Sequence, residues 1–184
     1  GSIGEPLYLD VLSSLKDKNM EIVGGRYGLS SKNTTPYQIK AVYDFLDRDD
    51  AHNGFTIGIV DDVTNLSLSD VPIDIKPYDY EMLLYGFGSD GMVSASKDLI
   101  KVTGDNAKVY VQGYFEYDSK KSGGVTISHL RFDKDPIRAT YYVEKPNLVV
   151  CTKDIYLKKL RMLDNISENG IFLLNTNKNK DEVL

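Results

Sequence analysis

Three glycines, Gly86, Gly88 and Gly91, follow an apolar run and precede a stretch with helical spacing. In such a turn the glycines let the backbone approach an anion, and the N-terminus of the following helix adds roughly half a positive charge. The pattern predicts a phosphate-binding turn, and a tight strand-to-helix turn that binds nothing fits it equally well. A dinucleotide site would also need an acidic residue about 20 residues further on. Glu116 and Asp118 lie later than that, which disfavours NAD.

Two further loops carry cations that could pair with phosphate oxygens. Lys120 and Lys121 lie in a turn rich in serine and glycine, and Arg26 and Lys32 flank Gly28 in a second glycine-rich loop. Backbone and side-chain donors in such loops can surround an anion. A solvated basic turn and a linker between lobes are the plainer interpretations of the two loops.

The sequence predicts no catalytic residue and no metal site. No serine or cysteine stands in the context of an activated nucleophile, so His129 is expected to be packed or hydrogen-bonded rather than catalytic. Cys151 is the single cysteine, and alone it cannot ligate an iron–sulfur cluster or a structural zinc. We expect it to be a small core residue. Asp61 and Asp62 could bind a metal, although capping or solvent exposure explains them better.

Composition limits the partners of this chain. The 22 Lys and Arg are outnumbered by 27 Asp and Glu, which gives a formal net charge of -5 and argues against a nucleic-acid surface. No uninterrupted apolar stretch is long enough to enter a membrane, and a lone cysteine fits a reducing compartment. We therefore expect a cytoplasmic domain with no nucleic-acid or membrane partner.

The N-terminal third of the chain has the pattern of a small α/β lobe. Apolar spacing predicts a helix over 4–18, a strand over 20–23 and a strand over 55–60. Between the strands, residues 35–38 form a capping box that starts a helix. The buried face of this helix is predicted to consist of Ile39, Val42, Tyr43 and Leu46.

The remaining two thirds begin as a strand, a glycine turn and a helix. The strand is predicted over 80–85 and the helix over 92–102, with Met92, Ala95 and Leu99 on its apolar face. Further strands are predicted at 107–118, 125–132, 137–143, 147–152 and 170–174, and a further helix at 153–165. The first two of these strands suggest a hairpin about the turn at 119–124, with a crossing connection as the alternative.

Strands that alternate with helices predict an α/β fold. We expect a Rossmann-like, mostly parallel sheet with flanking helices and an antiparallel excursion, plus the small N-terminal α/β lobe. Residues 1–2 look like a cloning scar, 3–70 form the N-terminal lobe and 61–77 contain a polar connector. The Rossmann-like core spans 78–176, and 177–184 form a flexible tail.

Longer motifs occur, in order, at residues 24–32, 61–64, 88–91, 112–115 and 117–132. Together they resemble the gamma (catalytic-family) domain of pyruvate:ferredoxin/flavodoxin oxidoreductases. The resemblance runs from about Glu21 to Asn175, which is most of the chain. It identifies 78–176 with the core of that gamma domain.

The resemblance implies a parent enzyme that oxidatively decarboxylates pyruvate on thiamine diphosphate. Such an enzyme passes electrons through iron–sulfur clusters to ferredoxin or flavodoxin and delivers the acetyl group to coenzyme A. In the family the gamma domain is associated with coenzyme A binding, while thiamine diphosphate and the clusters lie in other domains. This chain alone is therefore expected to be inactive, and its partners are expected to be other domains or subunits of the parent oxidoreductase.

Carried over by motif, the candidate coenzyme A contacts are Gly88, Ser89, Asp90, Gly91 and Lys97. The cations Arg26, Lys32, Lys120 and Lys121 are further candidates.

Three positions near the candidate turn depart from the family pattern. The family commonly has Thr, Gly and Asn where this chain has Met92, Ser94 and Ser96. A similar domain also occurs in the flavoprotein subunit of some fungal sulfite reductases. The alternative hypothesis is therefore a ligand-free structural or interaction domain of a related oxidoreductase.

Overall fold

The computed structural model describes residues 4–117 and 124–183. The chain divides into two compact units, Gly1–Ile75 and Lys76–Leu184. The first unit contains helices α1 (Pro6–Ser14) and α2 (Pro36–Leu46) and strands β1 (Gly25–Arg26), β2 (Phe55–Ile57) and β3 (Ser67–Leu68). Its strands form a parallel sheet in the order β1–β2–β3. The small N-terminal α/β lobe is thus present as a three-stranded unit.

The capping box of α2 is confirmed, but the predicted buried face of the helix is wrong. The Thr35 hydroxyl accepts from the Gln38 backbone N–H, and the Gln38 side chain accepts from the Thr35 backbone N–H, both at 3.3 Å. The helix buries Gln38, Ala41 and Phe45, because Phe45 packs against Phe55 of β2. Of the predicted face, Val42 is half-buried at the edge of this cluster. The other three residues are exposed, namely Ile39, Tyr43 and Leu46.

Two glycines set where strands of the first unit begin and end. The strand predicted at 20–23 is absent, and pairing starts at Gly25, which lies directly against the Phe55 ring. A Cβ on Gly25 would lie 2.2 Å from that ring. The strand predicted to reach residue 60 ends at Ile57, because Gly58 has a left-handed backbone with φ 76°.

The second unit is built on a five-stranded mixed sheet. Its elements are β4 (Tyr80–Phe87), α3 (Met92–Asn106), β5 (Tyr110–Tyr117), β6 (Val125–Asp133), β7 (Leu148–Cys151), β8 (Ile171–Leu174) and α4 (Lys180–Val183). The strand order is β5–β6–β4–β7–β8, in which β5, β6 and β4 pair antiparallel and β4, β7 and β8 pair parallel. The α/β fold class is confirmed, with two antiparallel and two parallel pairings where a mostly parallel sheet was expected. The in-register pairing of β5 with β6 confirms the hairpin. Residues 118–123, which follow β5 and precede β6 in sequence, lie outside the described part of the chain.

The two faces of this sheet are covered differently. On the helix side, Met92 and Ile100 of α3 pack near Leu84 and Leu130. Ala95 and Leu99, predicted for the buried face of α3, are exposed, because the face that meets the sheet runs through 92, 96 and 100 at a spacing of four. On the loop side, irregular chain after β6 and β7 covers the sheet.

Two predicted elements on the loop side are absent. Residues 137–143 form no strand, because side chains of the sheet bond their backbone: the Gln112 amide donates to Ala139 O at 2.7 Å. The helix predicted at 153–165 is reduced to a 3-10 turn at Asp154–Lys158. Tyr156 and Met162 both enter the same core cluster, and residues six apart lie on different sides of an α-helix. Within the described residues, no helix has the length and apolar character needed to cross a membrane.

Candidate functional site

The turn between β4 and α3 carries the candidate contacts Gly88–Gly91 at the carboxyl end of the central strand. Ser89 and Gly91 both have a left-handed backbone, with φ of 77° and 85°, and Gly91 directly precedes α3. Among the described residues, the backbone N–H groups of Ser89 and Gly91 have no hydrogen-bond partner. The order of strand, glycine turn and helix is confirmed, and the N–H groups of Ser89 and Gly91 remain unused in the turn.

The turn lies at a switch point of the sheet. The parallel strands β4 and β7 end side by side. The chain leaves β4 through α3 on the helix side, whereas after β7 it returns on the loop side, where Tyr156 and Met162 pack with Tyr85. Open α/β sheets commonly bind ligands in the crevice at such a point. The architecture therefore favours this corner over other edges of the sheet as a ligand site.

The Asp90 carboxylate occupies the start of α3. Its Oδ2 accepts from the Phe87 N–H and from the Thr152 hydroxyl, both at 2.7 Å, and its Oδ1 accepts from the Met92 N–H at 2.9 Å. Burial alone would raise the pKa of Asp90, but these hydrogen bonds outweigh it and hold the pKa below its ordinary value. An anionic ligand at this turn would have to bind beside an existing negative charge.

Acid is expected to weaken the turn. Because folding lowers the pKa of Asp90, its ionised form stabilises the fold above the unfolded pKa of about 3.9, and that contribution is lost as pH falls through the folded pKa. We expect the difference in unfolding free energy between the wild type and Asp90→Asn to be present at neutral pH and to vanish in acid, as measured by urea unfolding over a pH series. Asp98→Asn, which changes an exposed carboxylate on α3, is the control. A difference that persists unchanged into acid would contradict this role of the charge.

A buried polar cluster lies on the loop side of the sheet, and sequence analysis missed it. Arg131, only 1% exposed, donates to Glu81 Oε1 at 2.7 Å and to Gln112 Oε1 at 3.0 Å. Its guanidinium carbon lies 4.9 Å from the centroid of the Tyr141 ring and 5.6 Å from that of Tyr78. Burial raises the pKa of Glu81, and the Arg131 charge opposes that rise only in part. The cluster joins three strands to the covering loop.

A second cluster surrounds His129. Its Nδ1 accepts from the Val143 N–H at 3.1 Å, so the ring proton is assigned to Nε2, which donates to Glu116 Oε1 at 2.6 Å. The imidazole stacks on Tyr142 at 4.5 Å between centroids. Burial is the main cause that raises the pKa of Tyr142. The expectation that His129 is packed and hydrogen-bonded is confirmed.

Two smaller predictions are also resolved. Cys151 is fully buried at the end of β7, and its thiol donates to Lys153 O at 3.1 Å. Asp61 caps a turn by accepting from the N–H groups of Val63, Thr64 and Leu66. Both residues have the structural roles expected of them.

Comparison with known proteins decides the family of this chain. Residues 81–183 match the family model for pyruvate ferredoxin/flavodoxin oxidoreductase. The chain is 48% identical over 187 residues to the pyruvate:ferredoxin oxidoreductase of Moorella thermoacetica, and 47% identical over 190 residues to the pyruvate-flavodoxin oxidoreductase of Trichormus variabilis. The chain belongs to the pyruvate ferredoxin/flavodoxin oxidoreductase family. The resemblance seen in the motifs is thereby confirmed.

The alignments cover all of this chain but only 16% of each of those two relatives. Pyruvate oxidoreductase subunit PORC from Thermotoga maritima, a solved structure, is 30% identical, with a TM-score of 0.47 over 56% of this chain and 53% of the subunit. This chain therefore corresponds to a part of the longer oxidoreductases.

In this chain, the residues that depart from the family pattern are mostly turned inward. Met92 packs against the helix-side core, and Ser96 is fully buried, with its hydroxyl donating to Met92 O at 2.8 Å. Ser94 is exposed. Lys97 is exposed, and its Nζ lies 5.4 Å from the centroid of the Phe115 ring. Of the three departures, only Ser94 is exposed, and Met92 is half-buried.

The other four candidate cations lie in the first unit or outside the described residues. Arg26 lies in the first unit, where it pairs with Glu5 at 3.1 Å in an exposed ion pair. Lys32 lies in the same unit beside a cavity of about 490 Å³. Lys120 and Lys121 fall outside the described residues. Sequence reasoning also missed Thr152, whose hydroxyl ties the turn to the end of β7.

Proposed function

We propose that this chain holds coenzyme A within a pyruvate oxidoreductase. The proposal is supported by family membership together with one structural observation: the two unused N–H groups at Ser89 and Gly91, next to the N-terminus of α3, at the switch point of the sheet. The pyrophosphate of coenzyme A would accept from these two groups. Gly88 would let its oxygens approach the backbone, and Lys97 would supply a countercharge.

Asp90 and Lys97 would set the strength of this binding in opposite directions. The Asp90 carboxylate already accepts from two N–H groups at the turn, and its charge repels a phosphate. Lys97 is held near Phe115 by a cation–π contact, which at an exposed site contributes about 0.5–1 kcal/mol. A phosphate can draw Lys97 away from that ring, because charge-assisted hydrogen bonds contribute about 1.5–3 kcal/mol.

In the parent enzyme, the proposed reaction is the oxidative decarboxylation of pyruvate to acetyl coenzyme A. Thiamine diphosphate and the iron–sulfur clusters would lie in other domains, and ferredoxin or flavodoxin would accept the electrons. The chain described here contributes no nucleophile and no redox centre to this proposal. Its part would be to position the thiol-bearing acceptor of the acetyl group.

Calorimetric titration with coenzyme A tests the proposal. Lys97→Ala is expected to weaken binding about tenfold or more, since about 1.4 kcal/mol corresponds to a factor of ten. Asp90→Asn is expected to strengthen binding, because it removes the repulsion and keeps an amide oxygen as an acceptor. Lys101→Ala, one turn further along α3, is the matched control and should leave affinity unchanged. No heat at millimolar coenzyme A with a folded chain would contradict the proposal.

The alternative is a ligand-free structural or interaction domain. The observation that favours it is the closed set of bonds around Asp90, which joins the turn to α3 and β7 without any ligand. Under this alternative, coenzyme A would bind neither the wild type nor Asp90→Asn, and the loss of stability would be the only effect of the substitution. The titrations above separate the two functions.

A further inference from the structure

The helix side of the sheet is only partly covered. Met82 and Leu84 of β4 point to this side. Paired residues of parallel strands point the same way, so the residues of β7 and β8 in register with them also lie on this side. The four residues of β7 and β8 on this side are Leu148, Val150, Ile171 and Leu173. Helix α3 packs over β4, β5 and β6. On β8, Ile171 and Leu173 are therefore left 59% and 58% exposed.

The opposite side of β8 shows the coverage that such a strand normally has. Phe172 and Leu174 pack there against the core cluster that contains Tyr156 and Met162. All-parallel sheets occur almost only with both faces covered, and β4, β7 and β8 form the parallel part of this mixed sheet. The apolar surface of Leu148, Val150, Ile171 and Leu173, which we call the β8 patch, thus lacks the cover that the parallel part of a sheet normally has.

We propose that the β8 patch is the docking surface for another domain of the longer oxidoreductase polypeptide. Contiguous exposed apolar surface on an edge strand is surface on which another part of a protein can pack. The curated relatives extend far beyond this chain, which matches 16% of their length. The partner surface is apolar, of the kind that the apolar stripe of an amphipathic helix presents.

The size of the patch favours a tethered partner over a second copy of the chain. Two exposed and two half-buried aliphatic side chains offer on the order of a few hundred Å², whereas stable independent complexes bury about 800 Å² on each partner. A domain on the same polypeptide needs less contact, because a tether raises its effective concentration to the millimolar range. The inference rests on family membership and is independent of coenzyme A binding.

Hydroxyl-radical footprinting with peptide mass spectrometry tests the proposal in the full-length oxidoreductase polypeptide that contains this chain. Oxidation of Ile171 is expected to be slow in the wild type and severalfold faster in Leu173→Asp, because the charge prevents apolar docking. Val102→Asp is the matched control: Val102 is 60% exposed on α3 and lies outside the patch. It should leave oxidation of Ile171 at the wild-type rate. Val149, fully buried in β7, reports folding and should stay unoxidised in every variant.

Oxidation of Ile171 in the full-length wild type as fast as in Leu173→Asp, with Val149 protected in both, would overturn the proposal. The 184-residue chain alone provides the second arm, in which oxidation of Ile171 should be fast and independent of concentration. Protection that appears only as the chain concentration rises would identify a second copy as the occupant and would also overturn the proposal. Comparison of the two full-length proteins decides the matter even where the isolated chain fails to protect Val149.

Discussion

Glu81→Met is expected to lower the free energy of unfolding by about 3–5 kcal/mol, because it leaves the Arg131 guanidinium buried without its counter-charge. Arg131 is 1% exposed, and its Nη2 has no hydrogen-bond partner among the described residues. The remaining acceptor, Gln112 Oε1, is a neutral amide at 3.0 Å. Two tyrosine rings beside the guanidinium cannot replace a carboxylate. Urea unfolding at neutral pH measures the loss.

Replacing both partners is expected to cost much less than replacing one. Burial raises the pKa of Glu81 despite Arg131. The neutral carboxyl therefore favours folding below the unfolded pKa, and this contribution is lost as pH rises through the folded pKa. Glu81→Leu combined with Arg131→Met removes both charges and is expected to recover most of the stability lost in the single variant.

Two comparisons make this prediction falsifiable. Asp164→Asn removes the carboxylate from the Arg161–Asp164 ion pair, in which both side chains are exposed. It is expected to change the unfolding free energy by less than about 1 kcal/mol. A loss equally small in Glu81→Met would show that water reaches the buried pair. If the double variant were less stable than Glu81→Met, the attraction between Glu81 and Arg131 would exceed the free energy needed to desolvate the two charges.

Features encoded locally could be predicted from the sequence. The capping box of α2 depends on Thr35 and Gln38, three residues apart, and it forms as expected. The strand, glycine turn and helix at 80–106 also follow from a contiguous pattern. The buried face of α2 was not predictable in the same way, because contact with Phe55, a residue distant in sequence, decides it.

The polar clusters show what a single sequence hides. Gln112 pairs in register with Arg131, and Tyr114 with His129, so the polar positions of two strands share one side of the sheet. Alternating polar residues normally indicate the solvent side of a strand. Here Arg131 and His129 are buried although Tyr114 stays half exposed, because an irregular segment folds over β6 and bonds Gln112 and His129. The matched polar residues on the two strands of the hairpin could have been recognised in the sequence. No sequence pattern predicted the irregular segment that covers them.

The position of the candidate turn was predicted from the sequence, whereas the hydrogen bonds that hold the turn were not. The glycine spacing placed the corner, and the motif named its residues. The sequence could not show that Asp90 bonds back to Phe87 and Met92, or that Thr152 reaches it from another strand, since the second contact spans 62 positions. Whether this turn binds an anion depends on those hydrogen bonds. Coenzyme A binding is therefore a proposal, whereas membership of the family is a finding.

Leu130→Ala is expected to lower the free energy of unfolding by about 2–5 kcal/mol, because it removes buried methyl groups and leaves a cavity. Leu130 is fully buried at the centre of β6, between β5 and β4 and under α3. A cavity costs less where neighbours can collapse into it. Here collapse is restricted, because α3 already touches the backbone at two glycines. A Cβ on Gly86 would lie 2.7 Å from Met92 Cβ, and one on Gly113 would lie 2.2 Å from Ile100 Cδ1.

This close approach places the expected cost of Leu130→Ala in the upper part of that range. Urea unfolding at neutral pH measures it as a lower midpoint with an unchanged slope, which indicates lost stability without a change in compactness. Leu130→Met nearly conserves volume and is expected to cost less than about 1.5 kcal/mol. Leu173→Ala, which truncates an exposed leucine of β8, is expected to change the isolated chain by no more than about 0.5 kcal/mol. If Leu130→Ala cost no more than Leu173→Ala, α3 would be free to move toward the sheet, and it could not then hold the Gly88–Gly91 turn in a fixed geometry.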